Sequence, residues 1–284
     1  MSKIQDFTSI LPPAWCPGCG NFGILNALKK ALVELKIEPH QTLFVSDIGQ
    51  AGKLPHYTRG NVFNSLHGRA IPSAIGAKIG NRMLHVIVSI GDGGAYGEGL
   101  NHLVHAMRRN HDITCLVHDN QVYGLTKGQA SPTTDIGGVT KTTPYGAPPP
   151  INPLLLALAV DAGFVARGFS DDTTHLKDLI KAGVQYHGFS LIDILQPCVS
   201  FNHKNTHEWY GQRVYHLDGS VYQPSDKNAA FIKAQEWGDK IPIGILYRHE
   251  RPIYEENLPV LDADEDLTTI VRSGKIDELI TEFV

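Results

Sequence analysis

Two apolar runs of this chain each end in a turn that carries an oxygen-bearing side chain. Asp92 lies in the glycine-rich turn SIGDGGAYGEG, directly after the run LHVIVSI. Asn120 ends the run DITCLVHDN and precedes the irregular turn QVYGLT. A carboxylate beside a phosphate needs a cation between them, and Mg²⁺ prefers hard oxygen ligands of this kind. Asp, Asn and Gly are also ordinary turn formers, but two such turns on neighbouring strand ends favour a metal–diphosphate site.

Cysteines form a second reactive group. Cys16 and Cys19 lie three residues apart in PAWCPGCGNFG, and Cys198 follows the apolar run FSLIDIL. Because FSLIDIL has the pattern of a buried strand, Cys198 is expected at the same sheet edge as Asp92 and Asn120.

Three kinds of thiol site are compatible with this spacing. An iron–sulfur cluster normally takes four thiolates, and Cys115, in the middle of an apolar run, is expected in the core instead. A structural zinc ion would need a histidine such as His203 or His56 as its fourth ligand. A redox dithiol would follow a strand directly, and the preceding LPPA is no strand. The cluster is the favoured interpretation.

Composition limits the classes of partner. The 284 residues are 42% hydrophobic and 19% charged, which is ordinary for a globular protein. A formal net charge of −4, without a basic run, gives no reason to expect nucleic acid. The start MSKIQDFTSILPP lacks the features of a signal peptide, and no apolar run could span a bilayer, so no membrane association is expected. Four cysteines are too few for a disulfide framework, which predicts a cytoplasmic protein.

Strand-like and helix-like patterns alternate along the elements that must position these groups. Helical periodicity marks NFGILNALKKALVELKI, GRAIPSAIGAKIGN, GEGLNHLVHAMRRN, LLLALAVDAGF and TTHLKDLIKAGVQY, and apolar runs mark QTLFVSDIG, LHVIVSI, DITCLVHDN and FSLIDIL. The alternation predicts an α/β fold with an open, mostly parallel sheet and helices on both faces. We assign residues 1–198 to this domain. Residues 199–284 are expected to form a C-terminal extension, with a helix over DKNAAFIKAQEWG and a strand over IPIGILYRH, that packs on the domain and on a partner subunit.

An ordered set of motifs points to a known family. GDG followed by Asn resembles the thiamine diphosphate motif, and the surrounding residues resemble the β subunit of 2-oxoacid:ferredoxin oxidoreductases. The likeness covers WCPGCGNFG, SDIG, LHGRA, GDGGAYGEGLNH, NQVYGLTKGQASPT, QPCVSFN and EWGDKIPIG. The resemblance implies a thiamine diphosphate-binding fold of the PP type, the domain type that binds the diphosphate of the cofactor.

The resemblance implies a role for individual residues. Asp92, the Asn120 side chain and the Val122 carbonyl would bind Mg²⁺. The residues implied to contact thiamine diphosphate are Ile48, Gly49, His67, Gly91, Asp92, Gly93, Gly94, Asn120, Val122, Tyr123, Gly124, Leu125 and Thr126. His67 would approach the cofactor as a catalytic group, with a structural histidine as the alternative. Lys53 and Lys127 would help to hold the substrate carboxylate, with solvated lysines as the alternative.

The resemblance also implies a [4Fe–4S] cluster, to which Cys16, Cys19 and Cys198 would contribute three ligands. The family's remaining ligand follows the SDIG turn, where this chain has Gln50. A cluster with Gln50, water or another group at the fourth position is therefore expected. Its loss would imply a different electron route.

The implied reaction is the oxidative decarboxylation of a 2-oxoacid, with acyl transfer to coenzyme A and electrons passing to ferredoxin. The chain should act only with an α subunit that carries the pyrimidine-binding domain, as αβ or (αβ)₂. Lys53 and Lys127 favour 2-oxoglutarate, which has a second carboxylate, over pyruvate. Alternatives are a subunit of a non-redox thiamine decarboxylase or synthase and a non-catalytic subunit. A nicotinamide-dependent dehydrogenase is disfavoured because Tyr96 stands where its fingerprint needs a third glycine.

Overall fold

Ten strands run through the part of the chain that the computed structural model describes, which is residues 2–258, 261, 267, 268 and 281. They are β1 (Thr42–Ser46), β2 (Asn61–Asn64), β3 (His85–Gly91), β4 (Thr114–Asp119), β5 (Val122–Tyr123), β6 (Gln129–Ala130), β7 (Phe164–Phe169), β8 (Ser190–Leu195), β9 (Val214–His216) and β10 (Ile241–Arg248). Eight form one sheet in the order β2-β1-β3-β4-β8-β7-β10-β9, while β5 and β6 form a hairpin. The strands from β2 to β7 in that order are parallel, and β10 is antiparallel to β7.

Seven α-helices of the described chain flank the sheet. They are α1 (Asn21–Glu34), α2 (Ala70–Gly80), α3 (Leu100–Arg109), α4 (Pro153–Ala159), α5 (Thr173–Gln185), α6 (His207–Gly211) and α7 (Lys227–Ala234). Side-chain caps explain where four of them begin, α4, α5, α6 and α7. Asn152 accepts hydrogen bonds from the first turn of α4, and Asp172 accepts one from the N–H of His175 in α5. Such caps satisfy backbone donors that the first helical turn leaves without a partner.

Each face of the sheet has its own apolar core. In β3, Val86, Val88 and Ile90 pack on one face with residues of α2, α3 and α4. Ile87, which points to the other face, packs with residues of α1 and α5. Alternate residues of a strand face opposite sides, so the near-continuous apolar runs follow from burial on both faces.

Four polar side chains follow the strands β1, β3, β4 and β8 at the carboxyl edge of the sheet. They are Asp47, Asp92, Asn120 and Gln196. Because these strands are parallel neighbours, their carboxyl ends bring residues from distant parts of the sequence to one edge.

The predicted fold class is confirmed: the sheet is open and mostly parallel, with helices on both faces. The helix predicted over LLLALAVDAGF is too long, because α4 ends at Ala159 and β7 begins at Phe164. The sequence FVARGF does not predict the strand β7, because it contains the charged residue Arg167. Arg167 is paired inside the protein with Asp193, at 3.1 Å. All four residues of the edge strand β2 are exposed, and its two apolar residues, Val62 and Phe63, are adjacent and do not alternate with polar ones.

The segment predicted as an extension adds β9 and β10 to the sheet, and α7 packs in the same core as α4. The helix and strand predicted in this segment are confirmed in α7 and β10. Most of the extension beyond residue 258 lies outside the described residues, and the boundary between residues 198 and 199 stays a prediction. No helix in the described ranges is long and apolar enough to cross a bilayer.

Candidate active site

Asp92 is a buried carboxyl group at the start of the turn that follows β3. This turn continues as a short π-helical segment, Gly93–Glu98. Asp92 Oδ2 accepts hydrogen bonds from the hydroxyls of Ser131, at 2.5 Å, and Thr133, at 2.7 Å. Burial raises the pKa of Asp92, although the two hydroxyls act in the opposite direction. A cation at this position would stabilise the ionised carboxylate against the cost of burial.

Asp92 belongs to a buried network of acidic groups. Thr133 Oγ1 lies 2.7 Å from both Asp92 Oδ2 and Asp119 Oδ1. Burial, together with the charges of Asp193 and Asp92, raises the pKa of Asp119. A hydroxyl has one proton, so Thr133 can donate to only one of these two carboxyl groups at a time. Arg167 donates to Asp193 Oδ2 at 3.1 Å, so carboxyl groups outnumber guanidinium groups within this network.

Tyr96 explains why the glycine-rich turn departs from the dinucleotide fingerprint. Its side chain is buried, and its hydroxyl donates to Asp193 Oδ1 at 2.8 Å. Tyr96 therefore points beneath the turn and anchors it to the acidic network, at the position where a dinucleotide fingerprint has its third glycine.

The two glycines after Asp92 allow close packing of the turn. A Cβ atom on Gly93 would lie 2.1 Å from the Tyr123 ring, and one on Gly94 would lie 2.0 Å from Asp47 Oδ2. Asp47 is fully buried and accepts a hydrogen bond from the Gly68 N–H at 3.2 Å. Burial is the main cause that raises the pKa of Asp47 to about 7.

The turn after Asn120 is held in an uncommon backbone conformation. Gln121 has a φ of 59°, and the N–H of Val122 donates to Asn120 Oδ1 at 3.0 Å. A non-glycine residue in the left-handed region costs about 1–3 kcal/mol unless its surroundings fix it. Here the N–H of Gln121 donates to Asp119 Oδ1, its carbonyl accepts from Thr134, and Val122 enters the β5–β6 hairpin.

One cleft at the carboxyl edge brings together every residue predicted to contact the cofactor. Its lining comprises Ile48, Gly49, Gln50, Ala51, His67, Gly91, Asp92, Gly93, Gly94, Asn120, Val122, Tyr123, Gly124, Leu125 and Thr126. His67 is exposed at its rim. Lys53 and Lys127 follow lining segments but do not line the cleft in the described chain, so their catalytic role stays a prediction.

A second cleft adjoins the first and contains the three predicted cluster cysteines. Cys16, Cys19 and Cys198 line it, and Gln50, Asn120 and Gly124 line both clefts. The residues that complete the second lining are Trp15, Asn21, Gln196, Val199, Ser200 and Phe201. Cys115 is fully buried in β4, as predicted.

Gln196 connects the two clefts. Its Oε1 accepts from Asn120 Nδ2 at 3.1 Å, and its Nε2 lies 3.5 Å from Cys19 Sγ. Burial raises the pKa of Cys19 to about 11, and the neighbouring Cys198 and Cys16 also raise it. A thiolate at Cys19 therefore needs a bound cationic centre to stabilise it.

The cysteines do not form a closed single-ion site. Within the described ranges, the three sulfur atoms do not all lie within 4.8 Å of one another. Tetrahedral Zn²⁺, with bonds of about 2.3 Å, would hold thiolate sulfurs about 3.8 Å apart. His203 and His56 do not line this cleft. Gln50 does, and its buried Oε1 has no hydrogen-bond partner among the described residues.

Four functional candidates were not predicted from the sequence: Asp47, Ser131, Thr133 and Gln196. Asp47 and Gln196 carry the same signal as Asp92, a polar residue directly after an apolar strand. Ser131 and Thr133 reach Asp92 only because the β5–β6 hairpin folds back over the turn, which no periodic pattern indicates.

Family comparison agrees with this geometry. The family described as "Thiamine pyrophosphate enzyme, C-terminal TPP binding domain" matches residues 45–194. The fold and the strand-edge site thus define a thiamine diphosphate-binding domain. A second family, described as the C-terminal part of the pyruvate ferredoxin oxidoreductase beta subunit, matches residues 198–263.

Individual relatives extend the match along the chain. A 2-oxoacid:ferredoxin oxidoreductase subunit beta of Sulfolobus sp is 46% identical over 285 residues, covering 94% of this chain and 93% of the relative. The 2-oxoglutarate oxidoreductase subunit KorB of Mycobacterium tuberculosis is 44% identical over 70% of this chain and 54% of its own length. A solved structure of 2-oxoglutarate:ferredoxin oxidoreductase from Magnetococcus marinus, with 2-oxoglutarate, coenzyme A and succinyl-CoA bound, superposes with a TM-score of 0.91 at 35% identity, covering 99% of this chain and 96% of that one. This chain belongs to the family of 2-oxoacid:ferredoxin oxidoreductase β subunits, and the enzyme is an oxidoreductase.

Proposed function

We propose that this β subunit holds the diphosphate of thiamine diphosphate through Mg²⁺, with Asp92, the Asn120 side chain and the Val122 carbonyl as protein ligands. These oxygen donors are the types that Mg²⁺ prefers. Asn120 Oδ1 already accepts from the Val122 N–H, but an amide oxygen has a second lone pair for a cation. The observation that carries the proposal is the buried Asp92 carboxyl, whose side-chain hydrogen-bond partners are the neutral hydroxyls of Ser131 and Thr133, because a cation would compensate its charge.

The remaining lining residues are proposed to receive the cofactor itself. The packed turn Gly91–Gly94, which carries Asp92, and the segment Tyr123–Thr126 line the same cleft, while Ile48, Gly49 and His67 would meet the rings. The cleft encloses about 50 Å³ in this chain, well below the roughly 300–1,000 Å³ of usual small-molecule sites. Part of the cofactor would therefore be covered by an α subunit, as the name "subunit beta" of the relatives suggests.

Thiamine diphosphate, when bound, supplies an electron sink for decarboxylation. The residues of this chain would orient it: the Gly93–Tyr123 and Gly94–Asp47 contacts fix the turn that carries Asp92. Asp47 would be about half protonated at pH 7 because burial raises its pKa to about 7, so it would repel the diphosphate less than a fully ionised carboxylate would.

The neighbouring cysteine cleft is proposed to hold an iron–sulfur cluster, preferably [4Fe–4S], through Cys16, Cys19 and Cys198. The spacing of the sulfurs beyond single-ion distances and the raised pKa of Cys19 both support a larger cationic centre. Gln50, whose Oε1 is unpartnered within the described chain, is the proposed fourth ligand. The three residues shared by the two clefts would keep the path for electrons short.

Ferredoxin and coenzyme A are proposed as the other reactants, on the basis of the relatives' names and the bound ligands of the superposed enzyme. We propose 2-oxoglutarate as the preferred 2-oxoacid, since several relatives are named for it. Lys53 and Lys127 would reach its carboxylates only in the site that the α subunit helps to form. An αβ or (αβ)₂ assembly and a cytoplasmic location stay predictions.

Anaerobic co-purification with the α subunit, followed by analysis of thiamine diphosphate, magnesium, iron and sulfide, tests the proposal. We expect about four irons and an equimolar amount of thiamine diphosphate per αβ pair, with ferredoxin reduced when 2-oxoglutarate and coenzyme A are added. Asp92→Asn should lose magnesium and thiamine diphosphate but keep iron, whereas Cys198→Ser should lose iron but keep the cofactor. Exposed Asp178→Asn is the control and should keep all of them.

The same measurements discriminate the alternatives. Thiamine diphosphate without iron would contradict the redox route and favour a non-redox decarboxylase. Absence of both from a correctly assembled αβ pair would indicate a non-catalytic subunit.

A further inference from the structure

Outside the active site, three potential metal ligands converge where α5 begins and β9 ends. We propose that Asp172, His175 and His216 bind a divalent transition-metal ion, Zn²⁺ in the first instance. One ligand atom from each residue lies within 4.8 Å of the other two. Among the described residues, this is the one group of three or more His, Cys, Asp or Glu side chains that meets this distance.

The local structure orients all three side chains. Asp172 Oδ1 caps α5 by accepting from the His175 N–H at 3.1 Å, which leaves Oδ2 to face His216 Nε2 at 2.7 Å. Residues three apart at the start of a helix share one face, so Asp172 and His175 point the same way. The rings of His175 and His216 stack, with centroids 4.3 Å apart and planes inclined by 16°.

The donors suit a borderline ion. Two imidazole nitrogens and one carboxylate oxygen are typical of zinc sites with three protein ligands and a water molecule in the fourth position, and Co²⁺, Ni²⁺ and Cu²⁺ accept the same set. His175 is half-buried in this cluster. Its buried Nδ1 has no hydrogen-bond partner in the described chain.

Closing the site would require one imidazole ring to rotate out of the stack, because each ring binds a metal in its own plane and the two planes are nearly parallel. Bonds of 2.0–2.1 Å in a tetrahedral zinc site place ligand atoms about 3.4 Å apart. The widest separation here, at most 4.8 Å, would have to shrink by no more than about 1.4 Å. Asp172 can still cap α5 through Oδ1. Its Oδ2, which now lies 2.7 Å from His216 Nε2, would bind the metal in place of that hydrogen bond.

Metal binding would join two segments that are distant in sequence. Asp172 and His175 begin the helix that follows β7, while His216 ends the sheet-edge strand β9. A metal that binds the folded protein and not the unfolded chain stabilises it. The site would therefore fasten β9, which pairs only with β10 within the described chain, to the body of the domain.

Equilibrium dialysis of the assembled αβ enzyme against Zn²⁺, with metal analysis, provides the test. The variants are His175→Gln and His216→Gln. The control is His187→Gln, because His187 is equally exposed (59% against 57%) and also faces a single carboxylate, that of Glu256. Any zinc taken up by the cysteines is common to all four proteins and cancels in the comparison.

We expect wild type and the control to bind one more Zn²⁺ per β chain than either test variant, with the affinity of this site falling by at least about 10–100-fold in the variants. Thermal unfolding should show a Zn²⁺-dependent rise in melting temperature in wild type and control that is smaller in both variants. Equal zinc content in wild type and His216→Gln would overturn the proposal. An identical rise in melting temperature in all four proteins would also overturn it.

Discussion

Asp47→Asn tests whether the carboxyl beside the diphosphate turn is kept neutral by burial. Burial raises the pKa of Asp47 from 3.8 to about 7. Between pH 3.8 and about pH 7, the folded state therefore keeps the Asp47 proton while the unfolded chain has released it. Stability falls as pH rises through this window. Compared with a carboxyl group whose pKa is 3.8 in both states, this shift lowers the free energy of unfolding by about 2 kcal/mol at pH 5.5 and by about 4 kcal/mol at pH 8.5.

An asparagine has the same shape and can still accept from the Gly68 N–H, but it does not titrate. Its additional buried N–H groups change stability by an amount that does not depend on pH. The informative quantity is therefore the free energy of unfolding of the variant minus that of wild type, which should rise by about 2 kcal/mol from pH 5.5 to pH 8.5.

Urea unfolding followed by tryptophan fluorescence at several pH values measures this difference. The exposed Asp178→Asn variant provides the control and should show no such trend. A difference between Asp47→Asn and wild type that stays constant across the range would refute the argument that Asp47 is neutral by burial.

Three further substitutions test other parts of the account. Gly94→Ala would place a Cβ atom 2.0 Å from Asp47 Oδ2. The turn must then shift, and the affinity for thiamine diphosphate should fall by about 10–100-fold. The control is Gly76→Ala, whose added Cβ would have no atom within 4 Å and which should bind the cofactor normally in the same titration. Arg167→Met should lower the free energy of unfolding by about 3–5 kcal/mol, because it leaves the buried Asp193 without its cationic partner. A loss below about 1 kcal/mol in urea unfolding would count against this pairing. Gln50→Cys should increase the iron that survives exposure to air, since it adds a fourth thiolate; iron content no higher than in wild type would exclude Gln50 as the fourth ligand position.

The edge of the sheet was predictable from sequence because it depends on local patterns. Apolar runs identify β3 and β4, and parallel neighbours must end at the same edge, so Asp92 and Asn120 could be placed together. The small residues after Asp92 likewise indicate a tight turn. These inferences need only the period of a strand and the direction of a parallel sheet.

Other features depend on contacts between distant segments and leave no periodic trace. The apolar pattern that predicts a strand is interrupted in β7 by Arg167. This charged side chain is buried there only because it pairs with Asp193 on β8. Ser131 and Thr133 reach Asp92 across about 40 residues, and Gln196 connects Asn120 with Cys19. Lys53 and Lys127 show the reverse case. A lysine is a residue type that can hold a carboxylate, but neither of these two lines the cleft in the described chain.

The central claim is that decarboxylation at the Asp92 cleft delivers electrons to a cluster in the adjoining cysteine cleft. Electron paramagnetic resonance of the anaerobic αβ enzyme, frozen after 2-oxoglutarate and coenzyme A are added, tests it most directly. We predict the signal of a reduced iron–sulfur cluster in wild type and its loss in Cys198→Ser, which should still contain thiamine diphosphate. Substrate turnover without a cluster signal in wild type, or an unchanged signal in Cys198→Ser, would contradict the account.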